Sequence, residues 1–349
     1  MVVENVETKN RKIFYISFLA VLSAISVVIM HGSIYRYDAG NPSNFWFISN
    51  FILCFFFFAV PIFYMISGAT LMDYRTRYDS KVYFLKRLRK VVIPFCFWLV
   101  ILCLFNIYFL KIPMDGNILL YLYNICIEQS LYWFFIPLFA IYLLIPLLSY
   151  VPKEKRIKLF SFYAILLFIF CSVIPCIFNL TATPIYIRPE FVFASGLFIY
   201  PFLGYILNEI ELKRKYRIIF YVLGILGLLG MFLPTQVFYE TMHQSTYMFK
   251  SYSYPTTILY SIAVWIFAKE LCKHNNFRKR IEKIVYLFNP YTFGIYLIHY
   301  YFINIIAHYF KLNIVSMGFS VAIPIIVIPL CLLTLYIMKK IPYVKNIVP

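Results

Sequence analysis

Runs of about 20 apolar residues recur from one end of this 349-residue chain to the other. Each is long enough to cross a hydrocarbon layer of roughly 30 Å as a helix, and in lipid only helices and closed barrels satisfy every backbone group. The runs exclude a chain of soluble domains. A composition that is 63% hydrophobic and 21% aromatic, against roughly half apolar in an ordinary soluble domain, leaves no segment over for one. The expected fold is all-α: a polytopic membrane protein with about ten transmembrane helices in one bundle, a single domain over 1–349. The spans fall at roughly 13–32, 47–73, 90–110, 131–150, 159–178, 190–208, 217–234, 254–272, 288–310 and 316–338.

Charge tests this cut independently. With an even number of crossings both termini share a side, and 27 of the 32 basic residues fall in the connections on that side. The five on the other side are Arg36, Lys111, Arg188, Lys250 and Lys311. The positive-inside rule then makes both termini cytoplasmic, in a multi-pass protein of the cell membrane. The net charge of +18 is read as topology and contact with membrane lipids, with no nucleic-acid partner. Eight scattered cysteines show no C-x-x-C spacing, so neither a disulfide framework nor a metal site is expected.

Polar residues inside such spans face the bundle and mark function more often than chance placement would. The first span, "SAISVVIMHGS", ends on His31. Steps of three to four back along the helix meet Val27, Val28, Ala24, Ser23 and Ala20, mostly small side chains that let another helix pack closely. His31 reads as a hydrogen-bonded interfacial histidine or as a general base, since an imidazole titrating near about 6.5 can take a hydroxyl proton at neutral pH.

The second span carries Pro61, which predicts a kink, and Ser67 with Gly68, which permit close approach or line a cavity. Arg75, Arg77 and "KRLRKVVIP" follow at once, with Arg87 and Arg89 inside that segment. Seven basic residues on one connection serve topology, or bind an anionic donor whose phosphates suit arginine forks, such as coenzyme A. In "NPYTFGIYLIHYYFINIIAHYF", Thr292, Tyr296 and His299 share one helix face, as an interhelical seam or a substrate groove. No H-E-x-x-H, G-x-S-x-G, Walker loop or G-x-G-x-x-G is present, which disfavours metal and nucleotide hydrolysis.

Taken in order, the first helix ending at His31, "VPIFYMISGATL", "KRLRKVVIP", "LYWFFIPLFAIYLLIPLL" and "FGIYLIH" resemble the acyltransferase family 3 of bacterial membrane proteins. That resemblance implies an O-acyltransferase moving an acyl group, often acetyl from acetyl-CoA, to a hydroxyl of a cell-surface or lipid-linked glycan. Acyl-CoA would be a co-substrate, with no permanently bound cofactor. By position it makes His31 the catalytic histidine and puts Arg87 and Arg89, with Arg75 beside them, at the donor. Ser67, Tyr296 and His299 would line the substrate groove. Ala20 and Leu131 stand where the family commonly has a basic residue and a histidine. The competing reading is a transporter or flippase for a glycan or lipid intermediate, because a kinked helix and a polar stripe also serve a permeation path.

Overall fold

The computed structural model describes residues 2–34, 45–112, 117–123, 131–180, 196–242, 248–310 and 317–348. Arg36, Arg188 and Lys311 lie outside the described residues. In chain order the helices are α1 Val2–Ile34, α2 Phe45–Phe56, α3 Ala59–Leu71, α4 Ser80–Arg87, α5 Ile93–Leu104, α6 Ile118–Tyr123, α7 Phe135–Leu148, α8 Lys153–Phe168, α9 Ile174–Leu180, α10 Ile199–Glu209, α11 Arg214–Met242, α12 Pro255–Leu271, α13 Asn275–Phe288, α14 Thr292–Tyr309 and α15 Met317–Lys340. Among the described residues no strand occurs.

Six stretches are long and apolar enough to cross a membrane: Phe14–Gly32, Trp46–Thr76, Ser80–Phe109, Lys153–Leu180, Arg214–Met242 and Ala322–Lys340. The other four spans read from the sequence fall on the shorter helices α7, α10, α12 and α14. α1 is the hub, packing on α2, α3, α12, α13, α14 and α15. α5, α8, α9 and α11 lie outside, where Val100, Phe162, Ile177 and Ile225 are exposed, as on a surface solvated by lipid tails.

Pro61 does more than kink its helix. It has no N–H to offer the carbonyl of Phe57, and the chain breaks at Phe57–Phe58 into α2 and α3. A bare carbonyl is costly in hydrocarbon. The Tyr260 hydroxyl donates to Phe55 O beside the break (2.8 Å). A second departure from the α-ladder comes at Leu88–Val92, a π-helical turn directly after Arg87, where Ile93 N reaches back five residues to Leu88 O. Pro94 follows, so the wide turn leads into a residue that cannot donate.

α3 and α10 cross with their backbones in contact. A methyl added at Gly68 would overlap the Pro201 carbonyl, and one added at Gly204 would overlap that of Met65. Only glycine allows helices this close.

Four connections that the charge count places inside meet at one end of the bundle. Lys153 lies near Asp73 (3.9 Å) and Glu209 (3.8 Å), and Lys269 (3.1 Å) and Lys273 (2.6 Å) converge on Glu211. Lys269 also donates to the carbonyls of Leu207 (2.9 Å) and Ile210 (2.8 Å), which satisfies the end of α10. Buried Arg156 pairs with Asp73 and donates to Val151 O (2.7 Å) and Ser149 O (2.8 Å). Removing it leaves the carbonyls of Val151 and Ser149 without this donor and loosens the hold on Asp73. Arg156→Met is expected to cost about 2 kcal/mol, read as a lowered thermal midpoint in detergent.

The basic segment at 278–283 forms the amphipathic helix α13, a separate element of the same end. Its Phe277 ring meets Phe18 (5.8 Å), its Tyr286 ring meets Phe14 (6.0 Å), and Arg278 lies over Phe14 (5.2 Å).

Candidate active site

Two cavities lie along α1 and share one residue, Tyr296. The larger, of about 410 Å³, is bordered by His31, Trp133, Lys250 and Tyr252 among apolar side chains that include Val27, Met30 and Phe57. The smaller, of about 170 Å³, is bordered by Ala20, Ser67, Tyr142 and Thr292 among phenylalanines and aliphatics. Eleven residues of α1 separate Ala20 from His31, a rise of about 16 Å at 1.5 Å each. Of the small-residue face of α1, Ala20 borders the smaller cavity and Val27 the larger.

His31 is half-buried near the C-terminal end of α1 and its ring centroid lies 5.2 Å from that of His299. His299 is fully buried in α14. Its Nδ1 lies 2.9 Å from Ile295 O, one turn back. A carbonyl only accepts, so Nδ1 carries the proton and Nε2 holds the lone pair. Nε2 has no hydrogen-bond partner among the described residues. Two imidazoles therefore stand side by side: His31 borders the larger cavity, and His299, which borders neither, holds a basic nitrogen with no partner among the described residues.

The polar stripe of α14 faces these cavities. Thr292 and Tyr296 border the smaller, Tyr296 also borders the larger, and His299 stands against His31. The Tyr296 ring is wedged between Phe134 (5.1 Å) and Phe63 (6.4 Å).

The putting together of the larger cavity's wall depends on three separate elements. The Phe57 ring at the helix break stacks on Tyr252 (4.2 Å, 5° between planes), and Tyr252 stacks on Trp133 (5.3 Å, 25°). The Tyr200 hydroxyl donates to Tyr252 O (2.5 Å) and Thr257 Oγ1 to Ser251 O (2.7 Å), which pins the connection before α12. Trp133 sits in a 3₁₀ turn, Leu131–Phe134, where the Tyr64 hydroxyl donates to Phe134 O (3.0 Å).

Lys250 is the residue that sequence reasoning missed. It counts there only as one of five charges on the far side of the membrane, yet it is 3% exposed and borders the cavity of His31. Its Nζ donates to Asn50 Oδ1 (3.1 Å), and Asn50 Nδ2 donates to Phe232 O (3.2 Å) and Gln236 Oε1 (3.3 Å). Burial lowers the ammonium from its usual range to about 8. It is still predominantly cationic at neutral pH. A polar Asn50 at the start of a span was the available signal.

The arginines divide. Arg87 lies over the ring of Tyr142 (5.5 Å), which borders the smaller cavity along with Ser67, so it stands next to the wall of that cavity. Arg75 donates to Ser149 Oγ (2.7 Å) and stacks on Tyr150 (3.8 Å), away from both cavities. Arg89 is exposed at the same end.

No curated relative and no solved structure matches the chain. Residues 13–338 match the model of acyltransferase family 3, described as an acyltransferase domain. That stretch begins one residue before the first membrane-length segment and takes in both cavities, so the chain is a membrane protein of acyltransferase family 3.

Proposed function

We propose that this protein transfers an acyl group, acetyl foremost, from acyl-CoA to a hydroxyl of a cell-surface or lipid-linked glycan, across ten crossings with both termini cytoplasmic. The observation that carries the reading is the pair of cavities that share Tyr296 in their walls, one with Arg87 beside its lining residue Tyr142 and the other bordered by His31. The basic connections gathered at the Arg87 end are the cytoplasmic ones by charge. Acyl-CoA would dock there by its phosphates, its thiol arm entering past Tyr142 and Ser67, and the acceptor would occupy the larger cavity.

In the reaction His31 withdraws the proton of the acceptor hydroxyl as that oxygen attacks the thioester carbonyl. The tetrahedral adduct collapses with cleavage of the carbon–sulfur bond. The departing thiolate takes the proton back from the His31 imidazolium, and an ester and free coenzyme A result. His299, anchored through Nδ1, keeps a basic nitrogen beside this exchange. No resident cofactor is needed.

The test is the purified protein in nanodiscs with acetyl-CoA and a glycan acceptor. Acceptor-dependent release of free thiol, with one acetyl added to the glycan by mass, is the expected result. Movement of the intact acceptor across a vesicle membrane with no ester formed would make the protein a transporter instead. Arg87→Ala is expected to raise KM for acetyl-CoA about 10-fold with kcat within about threefold, because a charge-assisted contact to a phosphate contributes mainly to binding. Arg89→Ala, on an exposed side chain, is expected to do less in the same assay.

A further inference from the structure

We infer that Lys250 and the aromatic wall beside it form an acceptor subsite for a sugar bearing an anionic group, a carboxylate or a phosphate ester, which seats on the ammonium while the hydroxyl to be acylated meets His31. The inference rests on the acyltransferase reading for what happens to that hydroxyl, and on the cavity alone for what binds.

A lysine that is 3% exposed at the edge of a hydrocarbon layer is expensive to keep, and such groups mark ligand paths. Lys250 is held in place by a chain of contacts. Its Nζ donates to Asn50, itself fully buried, and Asn50 is fixed in turn by Phe232 O and Gln236 on α11. A cation whose support is built in this way presents charge at a defined point, as a specificity site requires. It borders the same cavity as His31, so a ligand filling that cavity meets both.

The rest of the cavity fits a sugar. At about 410 Å³ it lies within the range of small-ligand sites. Trp133, half-buried at the end of the stack, offers ring surface for the apolar C–H face of a pyranose, while Ser251 and His31 border the same cavity as polar residues. Burial that lowers the ammonium to about 8 penalises its charge, and an anion bound beside it offsets that penalty. A neutral sugar does not. The acceptor class follows: an acidic glycan whose anionic group and acylated hydroxyl fit together in this one cavity.

The full-length protein in nanodiscs can be titrated calorimetrically, without acyl-CoA, with three trisaccharides of one linkage. One is neutral, one carries a hexuronate carboxylate, and one carries a phosphate monoester at the same position. At least one anionic ligand is expected to bind 10-fold or more tighter than the neutral one, consistent with about 10- to 100-fold for a charge-assisted contact. The gain shrinks with added salt, and which anion gives it identifies the source. Lys250→Met is expected to lose at least 10-fold for that ligand and less than twofold for the neutral one, whereas Lys250→Arg keeps the preference. Equal affinities in the parent protein, or a preference that survives in Lys250→Met, would overturn the subsite. So would a loss of both ligands alike in a folded Lys250→Met. Should that variant not fold, the salt series on the parent protein and Lys250→Arg decides, and salt-independent binding overturns the idea. Because no donor is present, this titration reads binding apart from transfer: anion binding here, with no ester formed in the separate assay that supplies acetyl-CoA, would sink the transferase reading and leave this one standing.

Discussion

Replacing His31 with glutamine is expected to lower kcat for acyl transfer by about 10²- to 10⁴-fold, the usual contribution of a positioned base, while acyl-CoA still binds. Glutamine keeps a polar side chain of similar length at the cavity rim but cannot accept a proton near neutral pH. The measurement is acceptor-dependent thiol release under saturating acetyl-CoA. Turnover at the parent rate in the folded variant would remove His31 from the chemistry. Because its ring lies 5.2 Å from that of His299, the two should act as one unit. The double variant His31→Gln with His299→Gln is therefore expected to lose much less than the product of the single losses.

The second large effect is on folding. Gly68→Leu and Gly204→Leu are each expected to destabilise the protein by about 3 kcal/mol or more, because the clashing atoms are the backbone carbonyls of Pro201 and Met65. A side chain can rotate away, but a helix backbone has to move as a body. Thermal unfolding in detergent, followed by size exclusion, reads the loss. Gly230→Ala is the control, since its added methyl would meet only the Thr256 side chain, at 3.1 Å. Equal midpoints for Gly68→Leu and Gly230→Ala would mean that α3 and α10 do not cross as described.

Much of this was legible in the chain itself, for physical reasons that differ by residue. His31, Ser67, Tyr296 and His299 stood out because a polar group in an apolar helix must face protein, and all four do. The family could be read because its motifs come in order along nearly the whole length. Pro61 announced a disturbance, but whether the helix bends or breaks depends on what satisfies the freed carbonyls, and Tyr260 lies some 200 residues away. Lys250 was invisible for a similar reason. A lysine in a connection looks solvated until the fold folds that connection inward, and the stack of Phe57, Tyr252 and Trp133 that turns it inward draws on three distant segments. The three arginines looked alike in sequence. Only their neighbours separate Arg87, beside Tyr142, from Arg75, occupied by Ser149 and Tyr150.

The position of Trp133 has a practical use. The chain holds four tryptophans, and three of them, Trp46, Trp98 and Trp265, are buried elsewhere in the bundle. Trp133 alone borders the cavity that holds His31, half-buried and in contact with whatever fills it. Indole emission shifts with the polarity around the ring. A form keeping only that indole would carry an optical reporter at the cavity of His31, able to time the arrival and departure of whatever ligand fills it.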